Sequence, residues 1–212
     1  MSDSNTIIVN HPFIIDSLSH LRDQYTDLAK FRRHSDRLCE LLFAEAIKGL
    51  EFENVEITTP LEVTIKAKKL KDEVIIVPVL RSGLAMLFGA MQLLPKSKIG
   101  FIGLERDEKT AVAREYYCKL PNIRQNSIVI ITDPMLATGG SLLHLLEKIK
   151  TQKPKEIRIV SVISAPEGLM FIRKKFPKVK IFTAAIDQKL NKFKYIVPGI
   201  GDYGDRYFGT SA

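Results

Sequence analysis

The chain has 212 residues, 45% hydrophobic and 26% charged, a balance that suits one large α/β domain with a substantial core. No apolar run reaches the roughly 18 residues of a membrane span. The N-terminal stretch MSDSNTIIVNHPF lacks the basic region and apolar core of a signal peptide, so no export is expected. A formal net charge of +8 admits nucleic acid, a polyanionic small substrate or a solvated lysine-rich surface. Residues 66–71 and 148–155, both rich in lysine, read as helix ends and loops without interleaved aromatics, which argues against single-strand binding. Cys39 and Cys118 have no metal-ligand spacing and imply reduced thiols in a cytoplasm. The four histidines are expected to form no cluster.

In chain order, Pro12 opens a first helix capped by Asn10 or His11, with Ile15, Leu18, Arg22 and Tyr25 on its inner face. A second helix follows Lys30-Phe31-Arg32, turns Leu38, Leu41, Leu42 and Ala46 inward and stops at Gly49. Residues 52–65 alternate around Thr58-Thr59-Pro60 and predict two short antiparallel strands. None of these residues carries a convergent polar group, so residues 1–70 read as an accessory layer. Residues 71–190 read as the α/β core and 191–212 as a C-terminal loop, all within one domain.

The repeating pattern begins with VIIVPVL at 74–80, a run suited to a strand buried on both faces. Arg81-Ser82-Gly83 follows, then a helix over 84–94 closed by Pro95. A strand at 99–104, a polar aperiodic segment at 105–113 and renewed alternation at 114–120 predict a long hairpin with a mobile tip. Strands at 127–132, 157–164 and 179–185 and helices from Leu142 and at 166–175 complete the array. Parallel strands joined by helices put helices on both sheet faces and ligands at the carboxyl ends of the strands.

The stretch SIVIITDPMLATGGSLL, residues 127–143, orders a strand, an acid, a small-residue loop and a helix start. Free N–H groups and the helix dipole converge on such a loop and make it an anion site. No lysine follows the glycines, so it is not a Walker loop. A phosphate monoester suits the backbone amides with Thr138 and Ser141, and Asp133 then faces the ribose hydroxyls. Arg81 sits at a neighbouring strand end and places opposite charge on the same crevice. Arg106 and Arg114 add charge over it from the hairpin, as a lid would. Near the end of the chain, Gly199-Ile200-Gly201-Asp202-Tyr203-Gly204 satisfies GxGxxG literally. Pro198 precedes it and no helical pattern follows, which excludes a dinucleotide loop.

The chain resembles the uracil phosphoribosyltransferases, of the type I phosphoribosyltransferase fold, over nearly its whole length. The likeness rests on Lys30-Phe31-Arg32, Val77-Pro-Val-Leu-Arg81-Ser-Gly83, Arg106 with Asp-Glu-Lys-Thr, and Asp133-Pro-Met-Leu-Ala-Thr-Gly-Gly-Ser141. It continues through Ala165-Pro-Glu-Gly168, Ile186-Asp-Gln-Lys-Leu-Asn191, Tyr195-Ile-Val-Pro-Gly-Ile-Gly-Asp-Tyr-Gly-Asp205 and Phe208-Gly-Thr210. The resemblance implies a central, mostly parallel sheet flanked by helices, with a small hood that includes the C-terminal loop. It also implies the reaction of uracil with 5-phosphoribosyl 1-diphosphate (PRPP) to give UMP and diphosphate, with Mg²⁺. Matched by position, Asp133, Pro134, Met135, Leu136, Ala137, Thr138, Gly139, Gly140 and Ser141 would cradle the ribose and its 5-phosphate. Arg81 and Arg106 would hold the diphosphate, and Ile196, Gly201, Asp202 and Tyr203 the uracil. Asp202 would also lie near the diphosphate and its metal; no protein side chain is assigned as a direct metal ligand. Arg81, Arg106 and Asp202 are the catalytic candidates. Ser82 stands where the family is expected to have alanine, and Tyr203 where it commonly has a small residue. A homodimer or homotetramer and a GTP effector are further family expectations. A phosphoribosyltransferase for another base, and a pyrimidine-sensing RNA-binding regulator on the same fold, are the alternatives.

Overall fold

The apolar runs at 74–80 and 127–132 are buried along nearly their whole length, the burial that a central strand covered on both faces produces. The structure is a computed structural model that describes residues 5–106 and 113–210, without the side chains of Arg106 and Ala113. The N-terminal part comprises β1 (Thr6–Ile8), α1 (Pro12–Arg22), α2 (Leu28–Ala46), β2 (Phe52–Thr58) and β3 (Thr64–Leu70). Then come β4 (Glu73–Leu80), α3 (Leu84–Leu93), β5 (Lys98–Ile99), β6 (Phe101–Arg106), β7 (Ala113–Lys119) and β8 (Ser127–Thr132). They are followed by β9 (Met135–Leu136), α4 (Gly140–Lys150), β10 (Glu156–Ser164), α5 (Pro166–Lys175) and β11 (Lys180–Ile186). The tail holds β12 (Lys189–Leu190), β13 (Ile196–Val197) and the short α6 (Tyr203–Phe208).

The main sheet runs β1-β11-β10-β8-β4-β6-β7, parallel except for β7, which pairs antiparallel with β6. Alternate residues of β4 serve two cores. Val74 and Ile76 pack with Phe31, Leu38 and Leu42 of α2, whereas Ile75 and Val77 pack with Leu142, Leu145 and Ile149 of α4. From β4 the chain moves out to β6 on one side and returns to β8 on the other. Strand order therefore reverses between β4 and β8, and their carboxyl ends open a crevice at that point. The β2–β3 hairpin stands apart as a two-stranded sheet.

Several expectations are corrected. The inner face of α1 is Ile14, Ser17 and Leu21; Ile15 is 58% exposed, and Tyr25 lies beyond the helix, 85% exposed. Apolar residues cover too wide an arc of that helix to fix its phase, and packing against α2, with β11 behind, selects Ile14 and Leu21. The second helix begins at Leu28, capped by the Asp27 carboxylate on Lys30 N (2.9 Å), so Lys30-Phe31-Arg32 lies in its first turn. Residues 66–70 are on β3 rather than in a loop. A short edge strand, β1, extends the sheet past β11. A six-residue helix does follow the glycine-rich motif, although no strand of the main sheet feeds it. The packing of α1 on α2 also brings two histidines together, with the His20 and His34 rings 3.9 Å apart at their centroids. Cys39 and Cys118 are free thiols. Among the described residues no helix is long and apolar enough to cross a membrane.

Gly83 binds the ends of β4 and β8 together. Thr132 Oγ1 donates to Gly83 O at 3.0 Å, and a Cβ on Gly83 would lie 2.3 Å from Thr132 O and 2.6 Å from Val79 O. Both obstacles are backbone, so the strand ends would have to part. Gly83→Ala is expected to lower stability by roughly 1–3 kcal/mol, the usual range for overpacking. Urea unfolding measures this, and an unchanged midpoint would contradict so close an approach.

Candidate functional site

The loop after β8 is built as an anion cradle. Asp133 begins it, and the Pro134 carbonyl accepts from Val162 N and Ile163 N, each at 3.0 Å, fixing the loop to β10. Two residues of β9 then pair with β10 before the chain turns into α4. Gly139 makes that turn with φ +79°, a conformation costly for any side chain, and as the N-cap residue it has no side chain to offer the first-turn amides. The first-turn amides of α4 and its positive dipole end therefore face a small cavity of about 40 Å³. Asp133, Met135, Leu136, Ala137, Thr138, Gly139, Gly140 and Ser141 line it, joined by Leu142. Pro134 does not line it and acts from behind, through its carbonyl. Thr138 Oγ1 accepts from Gly140 N at 3.4 Å. From the back, α5 presses on the loop, since a Cβ on Gly168 would be 2.3 Å from Ala137 O.

Across the crevice, Arg81 follows β4 after a cis peptide bond from Leu80. Its guanidinium is 61% exposed and donates to Asp205 Oδ1 at 3.0 Å and to Thr210 Oγ1 at 3.5 Å. The Thr210 hydroxyl first, and Arg81 with it, hold the Asp205 carboxyl below its ordinary range. Arg106 ends β6, and its side chain lies outside the described residues, as does the hairpin tip at 107–112. Arg114 is exposed, 4.0 Å from Glu105 on the facing strand. Glu115 binds Lys148 (2.7 Å) and His144 (2.8 Å) and so ties β7 to α4.

A second cavity of about 190 Å³ lies beside the cradle. Ile196, Gly201, Asp202 and Tyr203 line it, with Ser82, Lys194, Tyr195 and Gly204. Met135 and Ala137 line both cavities and form their common wall. Ser82, Lys194, Tyr195 and Gly204 are not among the uracil-site residues expected from the sequence, where Ser82 is noted only as standing in place of alanine. Tyr195 and Gly204 sit inside the quoted motif, but nothing in residue type marks Lys194 or Ser82. Asn191 Oδ1 shapes their turn by accepting from Phe193 N (2.9 Å) and Tyr195 N (3.0 Å).

The tail around this cavity is held by the N-terminal helices, which corrects the expectation that they carry no convergent polar groups. Arg22 donates to both oxygens of Asp187 and to Gly199 O (2.9 Å), while Asp187 Oδ2 accepts from Gly199 N at 2.8 Å. Arg206 reaches back to Ile200 O (2.9 Å) and to Leu21 O. Arg32 Nε donates to Tyr207 O at 2.8 Å, and Tyr207 OH to Asp36 Oδ1 at 2.8 Å. The Tyr203 hydroxyl bonds Ser35 Oγ, and the ring meets Phe31 edge-on at 5.3 Å. At 1% exposure, the Tyr203 ring is spent on the core between α2 and α6. Burial pushes the Cys39 thiol beside it up to about 12, so that group stays an inert core residue.

The Uracil phosphoribosyltransferase family profile matches residues 8–210. A uracil phosphoribosyltransferase from Malacoplasma penetrans is 46% identical over 97% of this chain and 99% of its own. The chain belongs to the uracil phosphoribosyltransferase family. The AQ2163 protein from Aquifex aeolicus superposes with a TM-score of 0.92 at 39% identity, over 98% of this chain and 99% of that one. A hypoxanthine-guanine phosphoribosyltransferase from Bacillus anthracis covers 76% of this chain and 80% of its own at TM-score 0.53 and 15% identity. That second likeness shows the type I phosphoribosyltransferase fold alone.

In this uracil phosphoribosyltransferase family chain, Asp133 is the titrating group of the cradle. Burial raises its carboxyl to about 6, with one opposing hydrogen bond from Met135 N at 3.2 Å. An acid raised in the folded state favours folding fully below its unfolded value, about 4, and that contribution is lost as pH rises through 6. Asp133→Asn is therefore expected to stabilise the protein at pH 8 by up to roughly 2–3 kcal/mol, with little effect at pH 4. Denaturant midpoints at the two pH values measure it; equal effects at both would contradict a raised Asp133.

Proposed function

We propose that the chain transfers the 5-phosphoribosyl group from 5-phospho-α-D-ribose 1-diphosphate to uracil, releasing diphosphate and forming UMP. The observation that carries this reading is the shared wall of the two cavities in a chain of this family. A sugar phosphate seated in the cradle points its anomeric carbon towards a base seated under the tail, past Met135 and Ala137.

In this reading, the α4 amides with Thr138 and Ser141 take the 5-phosphate, and Asp133 accepts hydrogen bonds from the ribose hydroxyls. Arg81 and Arg106 bind the diphosphate. The bond from the anomeric carbon to the diphosphate oxygen breaks, the uracil nitrogen bonds to that carbon, and the nitrogen releases its proton. The ribose passes through an oxocarbenium-like state, so no covalent nucleophile is needed. Positioning and charge neutralisation supply the rate. Uracil and cytosine differ by an acceptor exchanged for a donor on one ring edge. Fixed backbone groups around Gly201 would leave cytosine's polar groups unpaired, at about 1–3 kcal/mol each.

Mg²⁺ fits this site as an ion carried on the diphosphate, because it keeps most of its waters and needs only one or two carboxylates. Asp202 offers one: it is exposed, lines the base cavity and uses Oδ1 to cap Asp205 N at 2.9 Å. When bound, the ion would neutralise charge on the leaving diphosphate. Homodimeric or homotetrameric assembly and GTP as a candidate effector rest on the family alone, and a cytoplasmic setting on the family and the two unpaired cysteines.

Incubation with uracil, PRPP and Mg²⁺ is expected to give UMP; no UMP, or faster product formation from cytosine, hypoxanthine or adenine, would overturn the assignment. Asp202→Asn keeps the helix cap and is expected to lower kcat/KM by roughly 10²-fold, the scale of losing one preorganised group. Asp205→Asn, which touches the crevice only through Arg81, is expected to change it less than about tenfold. Equal and mild losses from the two variants would displace Asp202 from the reaction.

A further inference from the structure

Away from the crevice, α1 and α2 bring together a set of side chains that the transferase chemistry does not use. Asp16 and His20 lie one turn apart on α1, and His34 faces them from the first half of α2. One ligand-type atom from each, a carboxylate oxygen or a ring nitrogen, lies within 4.8 Å of the other two. It is the one such trio among the described residues. His20 Nε2 stands 3.9 Å from Asp16 Oδ1, and His34 Nδ1 stands 4.0 Å from Asp16 Oδ2. Those separations are too long for hydrogen bonds. Ligands about 2.0–2.1 Å from a tetrahedral zinc centre stand roughly 3.4 Å from each other, so the Asp16 carboxylate would close on each histidine by about half an ångström to share one ion.

We propose that Asp16, His20 and His34 form a binding site for a borderline-soft divalent transition ion, with Zn²⁺ or Co²⁺ as its occupants. Two imidazoles and one carboxylate discriminate against Mg²⁺ and Ca²⁺, which take oxygen ligands. Burial, and then the neighbouring His20, hold His34 below its ordinary value and keep it in the neutral form that binds metal.

Two contacts compete with the ion. Arg37 Nη1 lies 3.5 Å from Asp16 Oδ2, and the Ser17 hydroxyl is 3.3 Å from His34 Nδ1. Three protein ligands leave the remaining positions to water, since Asp16 and His20 are about half exposed. The ion would tie α1 to α2 two residues from Arg22 and one from Ser35, both of which hold the tail. Its effect is therefore on the stability of that helix pair.

The test uses the full chain, stripped with EDTA and titrated with CoCl₂ and then ZnCl₂ under visible absorption, calorimetry and thermal unfolding. One equivalent of Co²⁺ is expected to bind with a d–d spectrum displaced by Zn²⁺, and saturating Zn²⁺ to raise Tm by roughly 5 °C or more. His20→Ala and His34→Ala are each expected to weaken binding at least tenfold while the metal-free far-UV spectrum stays unchanged. Arg37→Gln, which removes the competing cation, is expected to tighten it. Absent binding in the parent chain, binding by either alanine variant as tight as the parent's, or weaker binding by Arg37→Gln would overturn the proposal. A large excess of Mg²⁺ that abolished the Co²⁺ spectrum would also overturn it.

Discussion

The seating of the last helix on α2 is the contact on which the rest of the site depends. The tail has almost no regular structure of its own: a two-residue hairpin and one short helix. Its backbone is nonetheless fixed, because Tyr203 is buried against Phe31 and hydrogen-bonded to Ser35. Arg22, Arg32 and Arg206 satisfy its carbonyls. A buried tyrosine hydroxyl with a partner gains little over one in water, but the same hydroxyl without a partner costs about 1–3 kcal/mol. That asymmetry makes the arrangement specific. The tail docks in the one register that satisfies these groups, and the cavity under it inherits that precision.

The sheet supplies the other half. Strand order reverses between β4 and β8, so two strand ends open side by side. One continues into Arg81 and the other into Asp133 and the uncapped start of α4. The cradle offers amides and a dipole, whereas the tail offers carbonyls and amides of fixed direction. Met135 and Ala137 belong to both. In the proposed reaction, sugar recognition and base recognition belong to separate segments of the chain, 133–141 and the tail, which meet at the wall of Met135 and Ala137. In the proposed reaction, a shift of the tail would move the base relative to the sugar, so that a change on α2 would reach the chemistry without touching a substrate.

The parts of this that were legible in the sequence share one property: their cause is local. The run at 127–132 reads as a strand because its own residues are apolar and β-branched, and the glycines after it read as a helix entry because only they permit the turn. The phase of α1 was misread because Ile14, Ile15, Leu18 and Leu21 cover most of an arc, and only the neighbouring α2 and β11 distinguish them. Ser35 and Asp36 carry no local mark, and Arg32 is marked only by the Lys30-Phe31-Arg32 motif, since their partners lie near the far end of the chain, Ser35 being 168 residues from Tyr203. His20 and His34 looked isolated for the same reason. Tyr203, conspicuous as a large residue in a loop expected to carry a small one, is accommodated because its ring turns into the core.

Steady-state kinetics of Tyr203→Phe test this account most directly, because the substitution removes only the hydroxyl that meets Ser35. The account predicts that KM for uracil rises about five- to tenfold, an effect of roughly 1 kcal/mol, while KM for PRPP stays within twofold of the parent value. A parallel rise in both constants, or no change in either, would contradict a base pocket positioned by the docking of the tail on α2.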